Sequence, residues 1–118
     1  MTATLYGIRN CDTMKKARAW LDTHEVAYRF HDYKVDGVDG APLRRWCAVL
    51  GWEALLNRSG TTYRRLPEAA KQVTDANQAI ALMLAQPSMI RRPVFEVDGR
   101  LLVGFKPGDY ASALALGG

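Results

Sequence analysis

With 118 residues, 48% of them hydrophobic, the chain can bury one core and is too short for two ordinary domains. Its formal charge of +4 suits an anionic small ligand. The basic pairs Lys15-Lys16, Arg44-Arg45, Arg64-Arg65 and Arg91-Arg92 are scattered without regularly interleaved aromatics, which argues against a nucleic-acid platform.

No stretch approaches the roughly 20 consecutive apolar residues of a membrane span, and residues 1–6 lack the basic and apolar regions of a secretion signal. A cytoplasmic location is expected. Cys11 and Cys47 are too few and too far apart for a disulfide framework or a zinc cluster, so both are expected as thiols and no structural metal is implied.

Residues 2–8 read as a strand and run directly into Cys11 and a helical segment over 13–24, with Asp12 as the expected N-cap. Met14, Ala17, Leu21 and His24 share one face of that helix. Alternation over residues 26–31 predicts a second strand with Val26, Tyr28 and Phe30 on one side. Strand, helix and strand in so short a span make a βαβ unit with parallel strands and a right-handed crossover.

Residues 37–42 form a turn-rich break, and a helical insertion follows over about 42–86. Pro42 suits a helix start, Leu43, Trp46, Cys47 and Leu50 share a face, and Gly51 suits the helix end. A short helix is expected over 52–57, a turn or two over 67–72, and a helix over 76–85 capped by Asp75 and ended before Pro87. Residues 94–97 and 101–103 flank Asp98-Gly99, a strong signal for a hairpin with a type I′ turn. A last helix over 107–116 would bury Ala111, Leu114 and Ala115. βαβ, a helical insertion and ββα together give an α/β chain of thioredoxin-like layout, with a mixed four-stranded sheet and one domain throughout.

Cys11 is the chemically informative residue. A thiol at a helix start faces the positive end of the helix dipole and unpaired backbone N–H groups, both of which favour the thiolate, the form that attacks disulfides and oxyanions. Lys15 follows one helical turn later, where its ammonium would lower the thiol pKa further. A buried structural cysteine is the alternative for an unplaced thiol; the strand-Cys-helix context favours the reactive one. Cys47, on an apolar helical face, reads as core.

The run Leu5-Tyr6-Gly7-Ile8-Arg9-Asn10-Cys11-Asp12-Thr13-Met14-Lys15-Lys16-Ala17-Arg18, the segment Arg91-Arg92-Pro93-Val94 and the tail Val103-Gly104-Phe105-Lys106-Pro107 resemble the arsenate-reductase-like (ArsC/Spx) family, most closely its YffB subgroup. The resemblance implies a thioredoxin-like domain with an inserted helical subdomain and a glutathione-dependent thiol reductase activity. In arsenate reductases of this type three arginines surround the cysteine, and the matching residues here are Arg58, Arg92 and Lys106. A lysine supplies a point charge where an arginine fork would hold an oxyanion through paired hydrogen bonds. Those enzymes also carry a histidine and a serine where this chain has Gly7 and Met14, which counts against arsenate as substrate.

Regulators in the family use a Cys-x-x-Cys switch, whose second position here is Met14. The resemblance further implies a cis peptide before Pro93, whose backbone would pair with an incoming peptide such as glutathione. Asn10 would orient the cysteine loop or satisfy a turn. Two readings follow. In the first, Cys11, supported by Lys15, is a single-cysteine reductase nucleophile with glutathione as co-substrate, its anionic groups held by Arg92, Lys106 and Arg58. In the second, the chain is a non-enzymatic regulator that contacts RNA polymerase.

Overall fold

The computed structural model describes residues 2–115. They form two compact units: one comprises the residues up to 37 together with those from 92 onward, and the other residues 38–91.

In the first unit the elements are β1 (Ala3–Gly7), α1 (Asp12–Thr23), β2 (Arg29–Asp32), the single-turn α2 (Tyr33–Asp36), and, after the second unit, β3 (Val94–Val97), β4 (Arg100–Val103) and α7 (Pro107–Ala113). The strands make a mixed sheet in the order β2-β1-β3-β4. β1 pairs parallel with β2, placing Leu5 beside Phe30, and antiparallel with β3, placing Leu5 beside Phe95; β3 and β4 are antiparallel. A four-stranded sheet built as βαβ followed by ββα is the expected thioredoxin-like arrangement.

The period of two along β1 sends Ala3 and Leu5 into a core with Met14, Ala17 and Leu21 of α1, Phe95 and Val97 of β3, and Tyr110 of α7. Asp98 and Gly99 both take positive φ, 47° and 81°, as a type I′ turn requires.

Three expectations in this unit need correction. Val26, Tyr28 and Phe30 all pack against the core, but β2 pairs only from Arg29. The inward face of α1 stops at Leu21; His24 is exposed and lies flat on Trp20, with ring centroids 4.0 Å apart. In α7 the buried residue is Tyr110, while Ala115 is exposed beyond the helix. The expected helix end at Leu116 lies outside the described residues.

α1 closes with a Schellman motif: the Val26 N–H donates to the Leu21 carbonyl at 2.9 Å and the Glu25 N–H to the Asp22 carbonyl at 3.0 Å. The left-handed residue is Glu25, at φ 56°, where glycine is usual. Glu25→Gly is therefore expected to stabilise the chain by about 0.5 kcal/mol, because it relieves the Cβ crowding of that conformation but gains backbone entropy when unfolded. Denaturant titration of the two proteins checks this; a loss of stability would show that the Glu25 side chain contributes more than its backbone costs.

In the second unit α3 (Gly40–Leu50), α4 (Trp52–Leu55), α5 (Thr61–Arg64) and α6 (Ala76–Ala85) are joined by 3₁₀ turns at Glu68–Lys71 and Pro87–Met89. Leu43, Trp46, Leu55, Leu56, Ile80, Met83 and Ile90 are buried. Asp75 caps α6 as expected, accepting the Gln78 N–H at 2.8 Å. Gly51, at φ 86°, ends α3. α3 starts two residues before Pro42, with Asp39 at its N-cap position. Leu56 and Ile90 form an antiparallel bridge, flanked by an Asn57 N–H to Met89 carbonyl bond of 2.7 Å.

Candidate active site

Cys11 itself, rather than Asp12, is the N-cap residue of α1, with extended backbone at φ −145° and ψ 130°. Its sulfur therefore faces the second and third residues of the helix, whose N–H groups have no carbonyl partner within it. Five influences act on its ionisation. Burial is the largest and opposes the charge. The Met14 N–H, a hydrogen bond from the Arg92 side chain, the Thr13 N–H and the positive charge of Arg92 favour it, and together they hold the thiol below its ordinary value of 9.0. The neutral thiol makes no full capping hydrogen bond, so the N–H groups act chiefly as fixed dipoles awaiting a negative sulfur.

Lys15, expected from its spacing to help ionise Cys11, is exposed and is not among these influences. The positive charge comes instead from Arg92, at the start of the third strand segment. Arg91 is exposed, whereas Arg92 is half-buried, in keeping with adjacent residues of an extended segment facing opposite ways. The Arg92–Pro93 peptide is cis. The Pro93 carbonyl accepts the Gly104 N–H at 2.8 Å, which ties the start of β3 to the end of β4.

The remaining sequence-predicted residues are placed as follows. Asn10 is exposed in the loop between β1 and α1. Lys106 is exposed at the N-cap position of α7, and its carbonyl accepts the Asp109 and Tyr110 N–H groups. Arg58 belongs to the second unit, exposed, with its guanidinium 5.6 Å from the Trp52 ring centre. Cys47 is half-buried, and burial raises its pKa, which keeps it a neutral thiol.

Arg9 and Asp32 are residues that the sequence reading did not single out. Asp32 is almost fully buried at the end of β2, accepts the Lys34 N–H at 2.9 Å and lies 3.9 Å from the Arg9 guanidinium. The Asp32 N–H in turn donates to the Asp36 carboxylate at 3.1 Å. The spacing Asp32-x-Lys34 before a single helical turn is a capping signal that was available in the sequence.

Among the described residues no three His, Cys, Asp or Glu side chains gather as a metal-ligand group, and no helix is long and apolar enough to cross a membrane.

A profile of the ArsC family matches residues 6–113. An uncharacterized protein of Haemophilus influenzae is 41% identical over 112 residues, covering 95% of this chain and 98% of its own. The global transcriptional regulator Spx of Streptococcus mutans is 24% identical over 113 residues, covering 94% of this chain and 82% of its own. Among solved structures, a YffB protein is 65% identical with a TM-score of 0.93, covering 96% of this chain and 99% of that one. An arsenate reductase related protein of Brucella melitensis is 57% identical with a TM-score of 0.76, over 95% and 93% of the two chains. With a family profile spanning nearly all of its length and two solved relatives more than half identical to it, this chain belongs to the ArsC family, among proteins related to arsenate reductases.

Proposed function

We propose that the protein is a glutathione-dependent thiol reductase with Cys11 as its single nucleophile, working in the cytoplasm. The observation that carries this reading is the set of donors on Cys11: two helix N–H groups and the Arg92 side chain favour the thiolate against burial. In the proposed cycle the Cys11 thiolate attacks the glutathionyl sulfur of a mixed disulfide, R–S–S–G. The R–S⁻ thiolate leaves and takes up a proton, and Cys11 becomes glutathionylated. A second glutathione attacks that adduct as thiolate, releasing oxidised glutathione and regenerating the Cys11 thiolate. The sum is R–S–S–G plus reduced glutathione giving R–SH plus oxidised glutathione.

Arg92 and Lys106 supply positive charge for the carboxylates of glutathione, with Asn10 as an orienting residue in the loop. Lys15 is a weaker contributor in this scheme than Arg92. Gly7, Met14 and Lys106 count against arsenate as the preferred oxyanion.

Oxidised glutathione should add one glutathionyl group, about 305 Da, to the protein at Cys11, reversed by reduced glutathione. Cys47→Ala should keep the adduct with a modest loss of stability, and Cys11→Ser should abolish it. Intact-mass spectrometry reads all three. A loss of two mass units, preventable by either substitution, would reveal a Cys11–Cys47 disulfide and replace the monothiol scheme.

The similarity to transcriptional regulators named Spx favours a second reading, a non-enzymatic protein that binds RNA polymerase. Recovery of polymerase subunits in a pull-down, with no thiol reductase turnover, would establish it over the first.

A further inference from the structure

Gly7 is the last residue of β1 and Met14 lies in the first turn of α1, where it is fully buried. A Cβ placed on Gly7 would stand 2.8 Å from Cε and 3.3 Å from Cγ of Met14 and would overlap its sulfur. The backbone of Gly7 does not take the positive φ that calls for glycine, so it is the methionine that excludes a side chain at position 7. The thioether lies across the bare Cα, a contact that only this pairing of the smallest residue with a long flexible one permits.

The two residues bracket the loop that carries Cys11. Gly7 fixes where the loop leaves the sheet, and Met14 fixes where the helix begins. Met14 also faces two ways, since its side chain packs on Gly7 in the core while its N–H points at the Cys11 sulfur.

The geometry points to a further role for this contact: the Gly7–Met14 pair clamps the first turn of α1 onto the end of β1, making Met14 a positioning residue for the Cys11 nucleophile. The inference rests on the reading of Cys11 as a reactive thiolate. A shift of the first turn by a few tenths of an ångström changes the aim of the Met14 and Thr13 N–H groups, and the polarisation of the sulfur changes with it.

The test is the pH profile of Cys11 alkylation by iodoacetamide in a Cys47→Ala background, with thermal melting measured beside it. Met14→Ala is expected to slow alkylation at pH 6.5 about threefold or more and to move the profile toward higher pH. Met14→Leu, which keeps the buried volume, should restore the parent profile. Gly7→Ala should slow alkylation as well, because its Cβ displaces Met14, and Gly7→Ala/Met14→Ala should lie closer to the parent than the two single effects combined.

Leu21→Ala opens the same core further along α1 and is expected to lower the melting temperature without moving the profile. The clamp is overturned if Met14→Ala and Gly7→Ala melt earlier with an unmoved profile, or if Leu21→Ala moves the profile as much as they do. Should Met14→Ala fail to fold, Gly7→Ala and Met14→Leu decide on the same criterion. An unaltered protein whose Cys11 titrates near 9.0 would sink both the clamp and the reductase reading. Rapid alkylation without any glutathione adduct would sink the glutathione chemistry and leave the clamp standing.

Discussion

Replacing Arg92 with alanine is expected to slow alkylation of Cys11 about fivefold at pH 6.5, the factor that corresponds to about 1 kcal/mol for a charge-assisted hydrogen bond at a partly exposed sulfur. Among the described residues Arg92 is the one side chain that helps hold the thiol below its ordinary value, and it acts both by donating a hydrogen bond and through its charge. Arg92→Lys should recover part of the rate, since it returns the charge without the planar fork. Lys15→Ala should change little beside it. Equal rates for Arg92→Ala and the parent would leave the helix N–H groups as the whole source of activation.

A second consequence of the lowered thiol pKa is a pH-dependent gain in stability. A group whose pKa is depressed by folding stabilises the native state above its unfolded value and loses that contribution as pH falls through its folded one. The melting difference between the parent and Cys11→Ser should therefore grow as pH rises toward 9.0 and shrink in acid.

Tyr110→Ala is expected to cost about 3–5 kcal/mol in denaturant titration, enough to unfold much of the population of a marginal domain. The ring is 1% exposed, stacks on Phe95 at 4.8 Å between centroids and meets the edges of Phe105 at 5.0 Å and Trp20 at 5.9 Å. It is the central contact of α7, a helix of only 7 residues that has little propensity to stand alone. Tyr110→Phe keeps the packing and removes only the hydroxyl bond to the Gly104 carbonyl, 2.9 Å long, so about 1 kcal/mol is expected. Burial also raises the phenol pKa, so its contribution stays intact below the ordinary value of 10.0 and declines only above it. A mild effect of Tyr110→Ala would mean that α7 is dispensable to the first unit.

The parts of the fold legible in the sequence were those fixed by neighbours along the chain. The apolar alternation of Ala3 and Leu5, the stripe Met14, Ala17 and Leu21, the turn at Asp98-Gly99 and the cap at Asp75 each state their geometry within a few residues. The one-turn helices α2 and α5 did not, because four residues are too few to show a period of 3.6. The end of α1 was read to within one residue, but the left-handed turn at Glu25 that closes it was not, because that conformation usually announces itself as glycine.

At the site, the thiol and the helix N–H groups beneath it could be read from the strand-Cys-helix order alone. Its charged partner Arg92 was placed near the cysteine only through the motif resemblance, not by local spacing. Spacing along α1 favoured Lys15, whereas Arg92 arrives from β3, and only antiparallel pairing of β1 with β3 brings it near. Asp32 was passed over because an acidic residue at a strand end looks like any solvated loop residue until its burial is known.

That Cys11 occupies the capping position of α1 ties the covalent state of one sulfur to the folding of a whole helix. As a thiolate it can answer the Thr13 and Met14 N–H groups in the way an aspartate cap would. Once joined to another sulfur it has no charge to offer, and the first turn loses its cap. The adduct is then the less stable form of the fold and the free thiolate the more stable one. In the cycle proposed above, part of the free energy gained in folding α1 would be returned at each release of the adduct, and the architecture would pull toward the free thiolate.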